Sequence, residues 1–156
     1  MISAETSGLV AGRRQQVKTT SRVLTGGCLC GAIRYEARGA ESVPALCHCR
    51  SCRRSSGAPA VGWATFRGAD FSITSGEPTQ YRSSDKVERS HCSVCGTQLT
   101  YRHQGEHGWI DVTTSSLDDP EQLSPIDQIW TSHRLEWMAH LEDLPCCPRS
   151  RIEDQD

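Results

Sequence analysis

The 156 residues carry 17 Lys plus Arg against 19 Asp plus Glu, a formal net charge of −2, which leaves no basic footprint for non-specific binding to nucleic acid or to an anionic membrane. No apolar run approaches the ~20 residues of a membrane span, and the length fits one domain with one core. A hydrophobic content of 36% and a mean hydropathy of −0.52 are low for a chain held by apolar packing alone, which favours additional crosslinks such as bound metal.

Residues 1–21 are rich in Ser, Thr, Gly and Gln and read as a mobile N-terminal extension without chemistry. They contain no apolar segment of the kind that marks a secretion signal. Nine cysteines in such a chain, an odd number, read as thiolate ligands in a reducing, cytoplasmic setting rather than as a disulfide framework.

From Arg22 onward, short alternating stretches separated by Gly, Pro, Ser and Asp predict a mainly β, antiparallel domain over residues 22–148. Residues 32–37 place Ile33, Tyr35 and Ala37 on one face and Arg34 and Glu36 on the other, a half-buried strand. Further strands are predicted at 60–66, 71–74, 79–82, 87–91, 98–102, 109–113 and 128–131. Helical signal is thin: one turn at 51–56, and another at 117–123 capped by Asp118 or Asp119 before Pro120. Residues 143–148 read as an irregular arm and 149–156 as a C-terminal tail.

Seven of the cysteines fall into three clusters: Cys28/Cys30, Cys47/Cys49/Cys52 and Cys92/Cys95. A closed zinc site takes four protein ligands and an open one takes three, so seven divides into one of each. Cys92-Ser93-Val94-Cys95-Gly96 is a metal knuckle that needs a second pair, and Cys28-Leu29-Cys30-Gly31 can supply it. The alternatives are a redox dithiol, which calls for a motif opening a helix in a βαβ unit, or buried thiols and disulfides.

Cys47, Cys49 and Cys52 supply three thiolates from one loop with no fourth sulfur close in sequence. His48, His91, His103, His107 and the vicinal Cys146-Cys147 are the candidates for a fourth position. None of the histidines has ligand-like spacing, so a solvated or hydrogen-bonded side chain is the simpler reading for each. Three thiolates on Zn²⁺ leave a net charge of −1, which disfavours hydroxide generation and suits a small-molecule thiol as the remaining ligand. Arg53 and Arg54, with the turn at Ser55-Ser56-Gly57, are placed either to hold an anionic ligand, to hydrogen-bond the thiolates, or simply to carry surface charge.

Taken in order, Gly26-Gly27-Cys28-x-Cys30-Gly31-Ala32-x-Arg34-Tyr35, Cys47-His48-Cys49-x-x-Cys52-Arg53-Arg54-x-x-Gly57-Ala58 and Cys92-x-x-Cys95-Gly96 resemble the glutathione-dependent formaldehyde-activating enzymes and their centromere-protein-V relatives. The likeness extends through Ser116-Leu117-Asp118-Asp119-Pro120, Ile129-Trp130, Trp137 and Leu144-Pro145. It implies a β-tent fold around two zinc ions per chain. Cys28, Cys30, Cys92 and Cys95 would hold a structural zinc; Cys47, Cys49 and Cys52 would hold a labile, catalytic one.

The implied reaction condenses glutathione with formaldehyde to S-(hydroxymethyl)glutathione, a carbon–sulfur lyase reaction run in reverse. Gln128 stands where many relatives carry His, and His91 where an aromatic is usual. The expected partners are therefore a small thiol and a small aldehyde, with no nucleic acid and no membrane. A non-catalytic zinc module that binds a partner or a thiol adduct is the competing reading, and a zinc-ribbon nucleic-acid binder is disfavoured by the balanced charge.

Overall fold

The computed structural model describes residues 22–39, 44–105 and 108–149. The extension predicted at 1–21, most of the predicted tail and His107 therefore lie outside the described residues.

Two sheets form the domain. In the smaller, β1 (Val23–Gly27), β2 (Arg34–Arg38) and β5 (Phe71–Ser75) are ordered β1-β2-β5. The larger contains β3 (Ala45–Cys47), β4 (Val61–Arg67), β6 (Thr79–Ser84), β7 (Val87–His91), β8 (Gln98–His103), β9 (Trp109–Thr113) and β10 (Asp127–Ile129), ordered β10-β3-β4-β9-β8-β7-β6. Every pairing is antiparallel except β10 with β3, which is parallel and sets Ile129 beside Cys47. The mainly β expectation holds, and the alternation of Ile33, Tyr35 and Ala37 marks the buried face, at 4%, 1% and 0% exposure.

The core lies between the sheets. Leu24, Ile33, Tyr35 and Ala37 from the small sheet meet Ala64, Phe66, Leu99, Ile110 and Val112 from the large one. Tyr35 reaches across to Ser116, 2.7 Å from hydroxyl to hydroxyl, and burial raises its phenol to about 12. Gly26 is required here, because a Cβ on it would lie 2.3 Å from the Tyr35 hydroxyl.

Some elements differ from the sequence expectation. The 128–131 strand ends at Ile129 because Trp130 turns the chain with φ 58°, a left-handed backbone that a bulky residue rarely adopts. The turn predicted at 117–123 is reduced to a 3₁₀ turn, Pro120–Leu123. Leu117 instead bridges to Gly26, and Asp118 is drawn away to pair with Arg34.

That pair ties β2 to the segment after β9. Arg34 Nη1 donates to Asp118 Oδ1 at 2.9 Å, and Thr25 donates to Oδ2 at 2.6 Å. The Arg34 guanidinium, helped by the Thr25 hydroxyl, holds the Asp118 carboxyl below its usual range. A lowered folded-state pKa contributes stability that is present above the unfolded value and is lost as pH falls. Both side chains are more than a third exposed, at 38% and 45%. Solvent screening therefore limits the expected cost of Asp118→Asn to about 0.5–1 kcal/mol at pH 7. The difference from wild type should shrink as pH drops below about 4. Urea unfolding at several pH values reads it, and a difference that does not change with pH would assign the stability to something other than this carboxylate.

Candidate metal centres

Two turns of the same hydrogen-bonded design build the first cluster. The Cys28 amide donates to the Ile33 carbonyl at 3.0 Å, and the Cys92 amide to the Thr97 carbonyl at 3.0 Å. In each turn the glycine after the second cysteine folds back, Gly31 onto the Cys28 carbonyl and Gly96 onto the Cys92 carbonyl, with φ of 77° and 76°. Only glycine takes that backbone without strain. The Leu29 amide donates to Thr97 Oγ1 at 3.1 Å, which locks one turn onto the other.

The outcome is four sulfurs, from Cys28, Cys30, Cys92 and Cys95, all within 4.8 Å of one another. Cys28 and Cys30 are 3.5 Å apart and Cys30 and Cys92 3.8 Å, far longer than a disulfide of about 2.05 Å. Tetrahedral zinc with Zn–S bonds of about 2.3 Å requires sulfur–sulfur edges of about 3.8 Å. The donor set therefore fits a closed metal site. The Ile33 amide points at Cys28 Sγ at 3.2 Å, and the Thr97 hydroxyl, 3.2 Å from Cys95 Sγ, brings that thiol down to about 5. No helix opens at Cys92, so the Cys92/Cys95 knuckle lacks the setting of a redox dithiol.

The second cluster sits where β3 ends and α1 (Arg50–Ser56) begins. Cys47 is the last residue of β3; Cys49 caps the helix by accepting from the Cys52 amide at 3.3 Å; Cys52 lies one turn in. Their sulfurs also lie within 4.8 Å of one another. Among the described residues no histidine, carboxylate or further cysteine joins them, so this donor set fits an open metal site. Cys52 is held down to about 5 by the hydrogen bond from Cys47 and by Arg89, against the opposing effect of burial, while Cys47 is pushed up by the same Cys52 contact.

The proposed fourth donors go elsewhere. His48 is fully buried, with Nε2 2.9 Å from Gln128 Oε1, and Nδ1 has no partner among the described residues. His91 packs edge-on against Tyr81, and His103 Nδ1 accepts from the Gly105 amide at 3.1 Å. Cys146 and Cys147 are exposed and belong to neither cluster. Of the three residues read as ligand-holding, Arg54 is exposed, whereas Arg53 keeps a buried Nη1 without a partner among the described residues. The Gly57 amide closes α1 by donating to the Arg53 carbonyl at 2.9 Å, with φ 68°.

The sequence reading missed Arg89, which is 2% exposed on β7 and aims Nη2 at Cys52 Sγ, 3.6 Å away. Its guanidinium stands 4.8 Å from the Tyr101 ring centre and 5.9 Å from that of Trp63. The one signal was a charged side chain in the middle of a predicted strand. A hollow of about 620 Å³ lined by Ile73 and residues 76–80 has no cysteine in its lining.

Fold and sites together define a mainly β protein with two cysteine clusters able to hold metal ions. A sequence model described as glutathione-dependent formaldehyde-activating enzyme matches residues 23–133, and the chain belongs to that family. It is 33% identical over 79 residues to an uncharacterized lyase of Schizosaccharomyces pombe, a match spanning 50% of this chain and 56% of that protein. The crystal structure of a Rhodobacter sphaeroides protein has the same fold, with a TM-score of 0.56 and 22% identity over 67% of this chain and 98% of the other. Among the described residues no helix is long and apolar enough to cross a membrane.

Proposed function

We propose that the chain is a zinc-dependent, carbon–sulfur lyase-type enzyme that joins glutathione or a similar thiol to formaldehyde or a related small aldehyde. The observation that carries this reading is the cluster of Cys47, Cys49 and Cys52, three sulfurs with no fourth protein donor among the described residues, in a member of this family. In this reading Cys28, Cys30, Cys92 and Cys95 hold a structural zinc, and Cys47, Cys49 and Cys52 hold the catalytic one. Bound there, zinc supplies a soft positive centre that lowers the pKa of an arriving thiol.

The protein's own side chains do the rest. Cys47 and Cys52 are buried beside Val61 and Trp63, with Tyr101 packed against them, which keeps bulk water from that side of the cluster. In this reading the exposed Arg54 and the partly exposed Arg53 side chain meet a carboxylate of an anionic thiol and orient it. In the reaction a carbon–sulfur bond forms, the carbonyl π bond opens, and the thiol proton ends on the aldehyde oxygen, giving an S-hydroxymethyl adduct with no other reactant. The domain over residues 22–148 carries this chemistry, and a reducing compartment such as the cytoplasm keeps its thiols available.

Exchange spectroscopy with ¹³C-labelled formaldehyde and glutathione tests the proposal, since it measures adduct turnover against the uncatalysed background. A catalytic amount of the zinc-loaded protein is expected to speed exchange by about tenfold or more, equivalent to a barrier lowered by about 1.4 kcal/mol. Exchange left at background by protein carrying both metals would make the chain a non-catalytic binding module.

A further inference from the structure

We propose that Arg89 is the fixed counter-cation of the three-cysteine cluster, a positioning residue that makes this cluster prefer an anionic fourth ligand. The inference rests on the metal-site reading above and extends it to a residue outside the cysteine motifs.

A guanidinium at 2% exposure is expensive unless an anion accompanies it. Among the described residues no carboxylate pairs with Arg89; Nε donates to Ser83 Oγ at 3.1 Å, Nη2 faces Cys52 Sγ at 3.6 Å, and Nη1 is buried without a partner. The group it faces instead is the Cys52 sulfur, one of the three in the cluster. The guanidinium carbon lies over the rings of Tyr101 and Trp63, and with the side chain 2% exposed its charge is held inside the fold rather than free to swing into solvent.

Charge counting then gives the consequence. Three thiolates around a divalent cation make a centre of −1, and Arg89 brings the assembly to zero. A neutral assembly accepts one more anion, such as a thiolate, without like-charge repulsion in a water-poor setting, where repulsion is strong. Without Arg89 the same step builds charge up, and a neutral donor such as imidazole gains relative to a thiolate.

Cobalt(II) loaded in place of zinc reads this directly through its visible bands. The ligands to titrate are 2-mercaptoethanol, which has no carboxylate for Arg53 or Arg54 to hold, and imidazole. Arg89→Met is expected to weaken cobalt binding at this cluster by about 10–100-fold, the usual effect of removing a group that supports metal ligands, while the four-cysteine site keeps its spectrum. In the same variant the affinity for 2-mercaptoethanol falls by about tenfold or more relative to imidazole, which is about 1.4 kcal/mol of selectivity.

Arg89→Lys keeps the charge and is expected to keep the thiol preference, and it serves if the methionine variant does not fold. Equal losses for both ligands, unchanged cobalt affinity in Arg89→Met, or loss of the thiol preference in a folded Arg89→Lys protein would each overturn the proposal. A wild-type protein that takes up one cobalt instead of two removes the metal reading, and the Arg89 proposal with it.

Discussion

Replacing Cys92 by serine is expected to cost the protein its cooperative fold. Cys92 is 1% exposed and packs in the same core as Leu24, Tyr35 and Phe66, so the lesion falls between the two sheets. The turn at Cys28 leads into β2 of the small sheet, and the turn at Cys92 joins β7 to β8 of the large one. A metal held by both turns therefore crosslinks the sheets, and a structural zinc of this kind is worth about 10 kcal/mol or more in small domains. Net stability of a domain is only about 5–15 kcal/mol. Thermal melting followed by circular dichroism should show a broad or absent transition for Cys92→Ser, and the same for wild type stripped by a strong chelator. Cys146→Ser, at an exposed position outside both clusters, is the control that should melt like wild type. A sharp Cys92→Ser transition within a few degrees of wild type would mean that the knuckles are not a structural crosslink.

Cys49→Ser should have the opposite profile, with the fold retained and the chemistry lost. The Cys49 sulfur caps α1 by accepting from the Cys52 amide, and serine is among the best residues for that task. The helix start therefore survives the change, and with this site empty in both proteins stability should move by no more than about 1 kcal/mol. The metal site does not survive, because two thiolates remain where an open zinc site needs three protein ligands. Metal analysis should fall from two zincs per chain to one, and adduct exchange should return to the uncatalysed rate. Full exchange activity in a protein holding a single zinc would place the reaction away from this cluster.

How much of this was legible in the sequence depended on how far apart the interacting residues lie along the chain. Cysteine spacing is a local property, and the three clusters could be grouped before any coordinates because each is contained in six residues or fewer. The buried face of β2 was legible for the same reason, since Ile33, Tyr35 and Ala37 repeat with the period of a strand. Arg89 was not, because its sulfur partner is 37 positions away and only the order β3-β4-β9-β8-β7 carries the two residues to one site. The His48–Gln128 contact spans 80 positions and depends on a parallel pairing that an antiparallel expectation does not contain.

Short elements were lost in a similar way. β3 is three residues long and gives too little pattern to recognise, and β1 ends in two glycines that read as a turn. Trp130 shortened a predicted strand through a backbone angle that propensity argues against. Gly57 was read as part of a ligand-holding turn from its place after the arginines, and its amide turns out to be engaged in ending α1.

The most direct test of the central claim is zinc content per chain, measured before and after dialysis of the native protein against a few millimolar glutathione. The account predicts two zincs before dialysis, one held firmly through it and the other lost or altered in its coordination by the thiol. A single zinc, equally tight with and without glutathione, would contradict it, since the Cys47, Cys49 and Cys52 cluster would then be no thiol-accepting metal site.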